Sequence, residues 1–285
     1  MPPTAVHVAS KCKTALPPLP PGVNATVPEP FPVAIAVPIV GALGATANGE
    51  KLFDDADARL VPADRLVKVP EGISDQAAAA MMLKGLTTQY LIRSTYRVQA
   101  GQTVLFHAAA GGVGLIACQW LKALGVTVIG TVGSEEKAKL AKAHGCAHTI
   151  IYTKENFVER VNQITDGRKL PVVYDSVGKD TFMGSLDCLQ PRGMLVVFGN
   201  GSGPVAAFDL NLLAAKGSLY VTRPTLMSYT AKRDELVGAA KELFDMVLSG
   251  KVNVNPRQSY ALKDAGQAHR DLEGRKTTGS TILVP

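Results

Sequence analysis

From Thr103 onward the sequence alternates short β-rich runs with helix-patterned stretches, and no other feature restricts the fold as strongly. The β-rich runs are Thr103–His107, Thr127–Thr131, Thr149–Tyr152, Val172–Asp175, Met194–Phe198 and Leu219–Val221. Between them lie Leu115–Leu124, Glu135–His144, Glu155–Thr165, Thr181–Leu189 and Leu210–Ala215, all helical in pattern. Strands that alternate with helices build a parallel sheet covered on both faces. A run of this length is the size of one doubly wound dinucleotide-binding domain. An apolar helix over residues 77–95 precedes it, and a long helix over Arg233–Ser249 follows, ending at Gly250. Residues 258–285 then read strand, helix, strand, outside the alternation and so in a different layer. With 285 residues the chain has room for a second unit and buries a core without disulfide staples.

The first 56 residues read differently. Ten of the 18 prolines fall within residues 1–50, so neither a long helix nor a central strand fits there. We expect residues 1–56 to be irregular, with at most one short apolar element at Val33–Leu43. The apolar run Val33–Ala47 is interrupted by Pro38 and is too short to span a bilayer as a helix. Ala45-Thr46-Ala47 resembles a signal-peptidase site, but the stretch before Val33 is long and holds Glu29 and nine prolines. A signal peptide has a short basic head instead, so secretion is not expected.

Thirty basic and 24 acidic residues give a net charge of +6, but the basic residues are scattered. A nucleic-acid partner would need a basic cluster, so none is expected. Cys12, Cys118, Cys146 and Cys188 lie far apart and form no CxxC. They read as buried thiols in a reducing compartment, which places the chain in the cytoplasm, and their spacing predicts no zinc site. His7, His107, His144, His148 and His269 show no ligand spacing either, and His107 reads as a satisfied structural histidine. H-E-x-x-H, P-loop and G-x-S-x-G motifs are missing. The nearest approach to Tyr-x-x-x-Lys is Tyr229 with Arg233, beyond the parallel sheet. No catalytic acid or base can be named from the sequence.

The chemistry lies in Ala109-x-Gly111-x-x-Gly114, which follows a strand and opens a helix. This is the dinucleotide fingerprint G-x-G-x-x-G with alanine at its first position. Small residues let the backbone approach a diphosphate, and the helix N-terminus offers it N–H groups. A turn of small residues also serves plain helix–strand packing. About twenty residues on, an NAD site would carry an acid at the strand tip. Here stand Gly133, Ser134, Glu135, Glu136 and Lys137, where Ser134 and Lys137 suit a 2′-phosphate and point to NADPH. Ser134 also reads as a helix N-cap, which is compatible, and Glu135 turned inward would restore NAD. Three strand ends, Asp175–Gly178, Phe198–Gly203 and Val221–Pro224, are rich in glycine or small polar residues. They suit a nicotinamide and its ribose, or ordinary turns. A cofactor site without an acid, base or metal suits hydride transfer to an electrophilic acceptor.

From about Asp57 the chain resembles the zinc-free quinone oxidoreductases related to zeta-crystallin, in the medium-chain dehydrogenase/reductase superfamily. The stretches LVPADRLVKVPEGIS, LKGLTTQYLIRSTY, LFHAAAGGVGLIACQWLKALG, GTVGSEEKA, VVYDSVGKDT, SLDCLQPRGMLVVFGN, GSLYVTRPTL and TTGSTILVP carry the resemblance. It implies a Rossmann NADP-binding domain over residues 86–225. It further implies a GroES-like β-barrel catalytic domain, incomplete here, with remnants at 57–85 and 226–285. The implied NADPH site comprises Tyr90, Gly111, Gly112, Val113, Gly114, Gly133, Ser134, Lys137, Tyr152, Ser176, Phe198, Gly199, Ser202, Thr222, Arg223 and Arg275. The implied reaction is hydride transfer from NADPH to a small-molecule quinone without metal, in a homodimer that contacts neither membrane nor nucleic acid. Two alternatives stay open: reduction of an enone or alkenal double bond, and NADPH binding with impaired turnover. The second follows from residues 1–56, which do not match the family and read as a rearranged or out-of-frame start. An incomplete barrel would leave the nicotinamide more open to water.

Overall fold

The computed structural model describes Ala5–Ala9, Ala34–Ala36 and Ala58–Val284. Most of the proline-rich segment lies outside the described residues. Its two described pieces are strands, β1 (Ala5–Ala9) and β2 (Ala34–Ala36). β1 departs from the irregular structure expected there, whereas β2 falls within the expected apolar element. β3 (Ala58–Pro62) pairs antiparallel with β1, and β4 (Leu66–Lys68) pairs antiparallel with β2.

α1 (Asp75–Tyr90) begins where Ser74 Oγ accepts the Ala77 N–H at 3.2 Å, a side-chain cap for an otherwise unpaired donor. The expected helix over 77–95 does not run through as one α-helix. Residues Leu91–Thr95 widen into a π turn, in which the Tyr96 N–H bonds to Leu91 O. Next come β5 (Thr103–Phe106), α2 (Gly112–Ala123), β6 (Thr127–Val132), α3 (Glu135–Ala143), β7 (His148–Ile151) and α4 (Phe157–Ile164). Then follow β8 (Leu170–Asp175), α5 (Phe182–Asp187), β9 (Leu189–Val197), α6 (Asn211–Ala215) and β10 (Tyr220–Thr222). β9 starts earlier than its apolar text suggests, since Leu189 already pairs with Leu170. The ladder breaks after that pair, where Arg192 takes a left-handed φ of 62° and its N–H turns to Gly217 O.

The chain closes with α7 (Leu226–Tyr229), α8 (Arg233–Leu248), β11 (Gln258–Ala261), α9 (Ala265–Glu273) and β12 (Thr281–Val284). β11 and β12 pair in parallel, as a strand–helix–strand unit requires.

Residue contacts divide the chain into two units, Thr88–Thr225 and the remainder (Met1–Thr87 with Leu226–Pro285). Within Thr88–Thr225 six parallel strands lie in the order β10-β9-β8-β5-β6-β7. The chain therefore starts at the centre and winds out first to one side and then to the other, and the direction reverses between β5 and β8. A sheet covered on both faces needs apolar residues at consecutive positions. Accordingly Val104, Leu105 and Phe106 of β5 and Val172, Val173 and Tyr174 of β8 are all buried.

In the other unit α1 and α8 pack closely. A Cβ on Gly85 would stand 2.6 Å from the Leu243 methyls, so a larger residue here would force the Leu243 side chain to shift. Arg65 donates to Thr230 O at 2.8 Å and Ser280 Oγ to Ala80 O at 2.9 Å, which tie the C-terminal elements to β4 and α1.

Candidate functional site: a dinucleotide cradle at the strand tips

The tips of β5, β6, β8 and β9 converge where the winding direction reverses, the place where open α/β sheets hold ligands. The turn between β5 and α2 is built from main chain. Ala108 takes φ 54°, a left-handed conformation that costs a non-glycine residue energy and recurs at functional turns. Ala108 O accepts the Gly111 N–H at 2.9 Å, and the Ala109 N–H bonds to Thr131 O at 3.0 Å, which fixes the turn to β6.

Two glycines lie against main-chain oxygens, tightly at Gly111 and with no room for a Cβ at Gly114. A Cβ on Gly111 would come within 3.1 Å of Ala108 O, and one on Gly114 within 2.5 Å of Ala108 O and 2.6 Å of Ala109 O. Gly111 is also the N-cap of α2 and supplies no capping side chain. The first-turn N–H groups of Gly112, Val113 and Gly114 therefore point out of the helix end with no intrahelical carbonyl. Together with the helix dipole they form an anion cradle.

At the tip of β6, Gly133 faces the Tyr152 hydroxyl, which lies 3.0 Å from where a Gly133 Cβ would stand. Ser134 caps α3: its Oγ accepts the Lys137 N–H at 3.3 Å. Its backbone is extended at φ −153°, so the cap leaves the hydroxyl at the strand tip. Glu135 pairs with Lys154 at 3.1 Å on the surface. That contact occupies Glu135. The neighbouring acid Glu136 accepts hydrogen bonds from its own backbone N–H and from the Ser134 side chain, which hold its carboxyl below the usual value. Tyr152, expected near the adenine, is 48% exposed beside these residues, so a flat apolar face is available to a base.

On the other side of the turn, the loops after β8 and β9 are bound to each other. Gly201 N donates to Ser176 O at 3.0 Å, and Ser202 N to Val177 O at 2.8 Å. Ser202 Oγ donates to Val177 O at 2.9 Å and accepts the Asp180 N–H at 3.0 Å. The Ser202 hydroxyl thus joins the two loops. Gly199 approaches the Ser176 carbonyl so closely that a Cβ would sit 2.6 Å away. The Phe198 ring packs on Phe106 with centroids 5.6 Å apart.

The remaining expected residues lie on other elements. Tyr90 ends α1 and is buried, which fits a packing role. Thr222 ends β10 at the sheet edge, and Arg223 Nη1 donates to Pro224 O at 3.2 Å. Arg275 follows α9 and belongs to the other unit.

A buried polar network beneath the cradle was not evident as such in the sequence. Asp175, the last residue of β8, is fully buried. Its Oδ1 accepts the N–H groups of Val177 (2.8 Å) and Gly178 (3.0 Å). Its Oδ2 accepts the hydroxyls of Thr181 (2.7 Å) and Ser185 (2.9 Å). Since the Ser185 proton is committed to Asp175, Ser185 Oγ must accept from His107 Nε2, 3.0 Å away. His107 Nδ1 is then the acceptor for Thr131 Oγ1 at 2.9 Å, and Thr131 Oγ1 accepts the Ala108 N–H at 3.3 Å. Every donor in this chain has an acceptor, and the histidine is neutral. Burial lowers its pKa from the usual value, and the Asp175 charge offsets part of that effect. The readable signal was an acid closing an apolar strand (LPVVYD), because a buried carboxylate demands donors.

Cys118, Cys146 and Cys188 are free and buried. Among the described residues no group of three or more His, Cys, Asp or Glu side chains could hold a metal ion. Among the same residues no helix is long and apolar enough to cross a membrane.

A six-stranded doubly wound sheet with a glycine cradle at its reversal point is the architecture of a dinucleotide-binding domain. The profile of the family described as zinc-binding dehydrogenase matches residues 112–242. The described residues do not supply the ligands that such a name implies. A quinone oxidoreductase of Pseudomonas aeruginosa is 56% identical over 230 residues, which cover 81% of this chain and 71% of that protein. A 2-haloacrylate reductase of Burkholderia is 46% identical over 80% of this chain and 69% of that protein. The crystal structure of Escherichia coli quinone oxidoreductase complexed with NADPH superposes with a TM-score of 0.84 at 42% identity, over 99% of this chain and 91% of that one. The chain belongs to the quinone oxidoreductase family of the medium-chain dehydrogenases/reductases.

Proposed function

We propose that the chain is an NADPH:quinone oxidoreductase that works without metal. The observation that carries this reading is the glycine cradle at the head of α2, where an added Cβ at Gly114 would strike two backbone carbonyls. When bound, NADPH supplies a hydride to the acceptor's carbonyl or its conjugated carbon. The N–H groups of Gly112, Val113 and Gly114 hold the diphosphate, while Gly111 keeps the turn close to it. Ser134 and Lys137 hold the 2′-phosphate, with Gly133 leaving room and Tyr152 flanking the adenine. Ser176, Phe198 and Gly199 border the nicotinamide side, with Ser202 fastening their loops. Tyr90, Thr222, Arg223 and Arg275 complete the proposed contacts.

The likeness to a 2-haloacrylate reductase favours a second reading, reduction of a carbon–carbon double bond conjugated to a carbonyl or carboxylate. Both reactions use the same cofactor geometry. Comparing NADPH oxidation with 1,4-benzoquinone and with an enone separates them. A homodimer is supported by β10, which ends the sheet with Tyr220 exposed, and sedimentation tests it. The buried free thiols support a cytoplasmic location.

Cofactor choice tests the site itself. Replacing Lys137 with alanine is expected to weaken NADPH binding about tenfold, through loss of a charge-assisted contact, and to leave NADH binding unchanged. Fluorescence titration of both cofactors decides it; equal losses for NADPH and NADH would refute the 2′-phosphate assignment.

A further inference from the structure

The polar network beneath the cradle joins the loops on its two sides. At one end Thr131 receives the Ala108 N–H at 3.3 Å, at the start of the diphosphate turn. At the other end Asp175 receives the Val177 and Gly178 N–H groups, in the loop proposed to border the nicotinamide ribose. His107 and Ser185 bridge the two ends with bonds of 2.9, 3.0 and 2.9 Å. All four side chains, His107, Thr131, Asp175 and Ser185, belong to the unit Thr88–Thr225 and are buried. The network has one consistent proton order, running from Thr131 through His107 and Ser185 to Asp175. It therefore adds side-chain ties between the turn after β5 and the end of β8 to the main-chain bonds of Ala109 N to Thr131 O and His107 N to Tyr174 O, each 3.0 Å.

We propose that His107, Ser185 and Thr131 are positioning residues that fix the distance between the diphosphate turn and the nicotinamide-side loop, and so set the affinity for NADPH. None of them touches the acceptor. This proposal rests on the NADPH reading above and adds to it the device that keeps the cradle in register. A dinucleotide engages both loops at once, so a change in their spacing weakens binding to the whole cofactor. A buried network that loses one hydroxyl cannot keep its proton order, and the loops at its ends then relax independently.

The test uses the full chain with NADPH and 1,4-benzoquinone. Ser185→Ala removes the bridge, and Thr131→Val removes the far end while conserving shape. Each is expected to raise the NADPH KM and the fluorescence Kd about tenfold while leaving the benzoquinone KM unchanged. The double variant is expected to lose less than the product of the two single losses, because either change already breaks the chain. Variants that melt at lower temperature yet bind NADPH like the wild type would overturn the proposal and leave the network a purely structural device. So would losses that multiply independently. A wild-type chain that binds no NADPH would instead refute the cofactor reading itself, and this proposal with it.

Discussion

Replacing Asp175 with alanine is expected to cost the unit Thr88–Thr225 roughly 4 kcal/mol of stability. The carboxylate is fully buried and accepts from Val177 N, Gly178 N, Thr181 Oγ1 and Ser185 Oγ. Its removal leaves those donors facing a void, and each unsatisfied buried donor costs about 1–3 kcal/mol, with less than full additivity. Against a total domain stability of about 5–15 kcal/mol, that is a large share. Asp175→Asn should be milder, because Oδ1 survives for the two backbone donors. The new amide N–H would, however, have to donate to Ser185. Ser185 would then donate to His107, and His107 to Thr131, reversing the proton order of the whole chain. Thermal melts of the two variants check the ranking. For a unit of this size alanine should lower Tm by roughly 10 °C, with asparagine between alanine and wild type. An alanine variant within about 1 kcal/mol of wild type would show that the network bears little of the fold's stability.

The second large effect concerns binding. Gly114→Ala should weaken NADPH binding by about 10- to 100-fold, because relieving the clash costs about 1–3 kcal/mol and the turn must open to do so. The obstructing atoms are the main-chain oxygens of Ala108 and Ala109, at 2.5 and 2.6 Å from the added methyl, and neither can swing aside as a side chain would. Gly238→Ala is the matched control. It lies in α8 with nothing within 4 Å of its added Cβ, so it should bind NADPH normally. Its melting temperature should rise slightly, since alanine favours a helix interior by about 1 kcal/mol over glycine. Titration of both variants measures the contrast, and equal affinities would mean that the turn does not carry the diphosphate.

The central sheet was readable because a parallel sheet imposes alternation on the sequence itself. A strand such as Thr103–Phe106, buried on both faces, must be apolar throughout, and the crossover after it must return as a helix. The glycine turn was readable for a steric reason, since close backbone approach excludes a side chain at Gly114 and crowds one at Gly111. Ser134 was readable as a helix cap because its hydroxyl stands at the start of an acidic, helix-patterned run. What stayed hidden depended on partners distant in sequence. His107 was legible as a satisfied histidine, but its partners Thr131 and Ser185 lie 24 and 78 residues away. Likewise the bonds by which the Ser202 hydroxyl joins two loops through Val177 and Asp180 are set by loop packing and have no local signal. β1 escaped notice because AVHVA is short and its partner β3 follows a long proline-rich interval. The early start of β9 was obscured by Pro191, which suggests a break although Leu189 is already paired.

The proposed cofactor site rests on main-chain amides at the head of α2 gripping a dinucleotide diphosphate. A crystal of the full chain grown with saturating NADPH tests this directly. The diphosphate oxygens should lie about 3 Å from the N–H groups of Gly112 and Val113, with the 2′-phosphate beside Ser134 and Lys137. A cofactor bound elsewhere, or a cradle left empty at saturation, would contradict it.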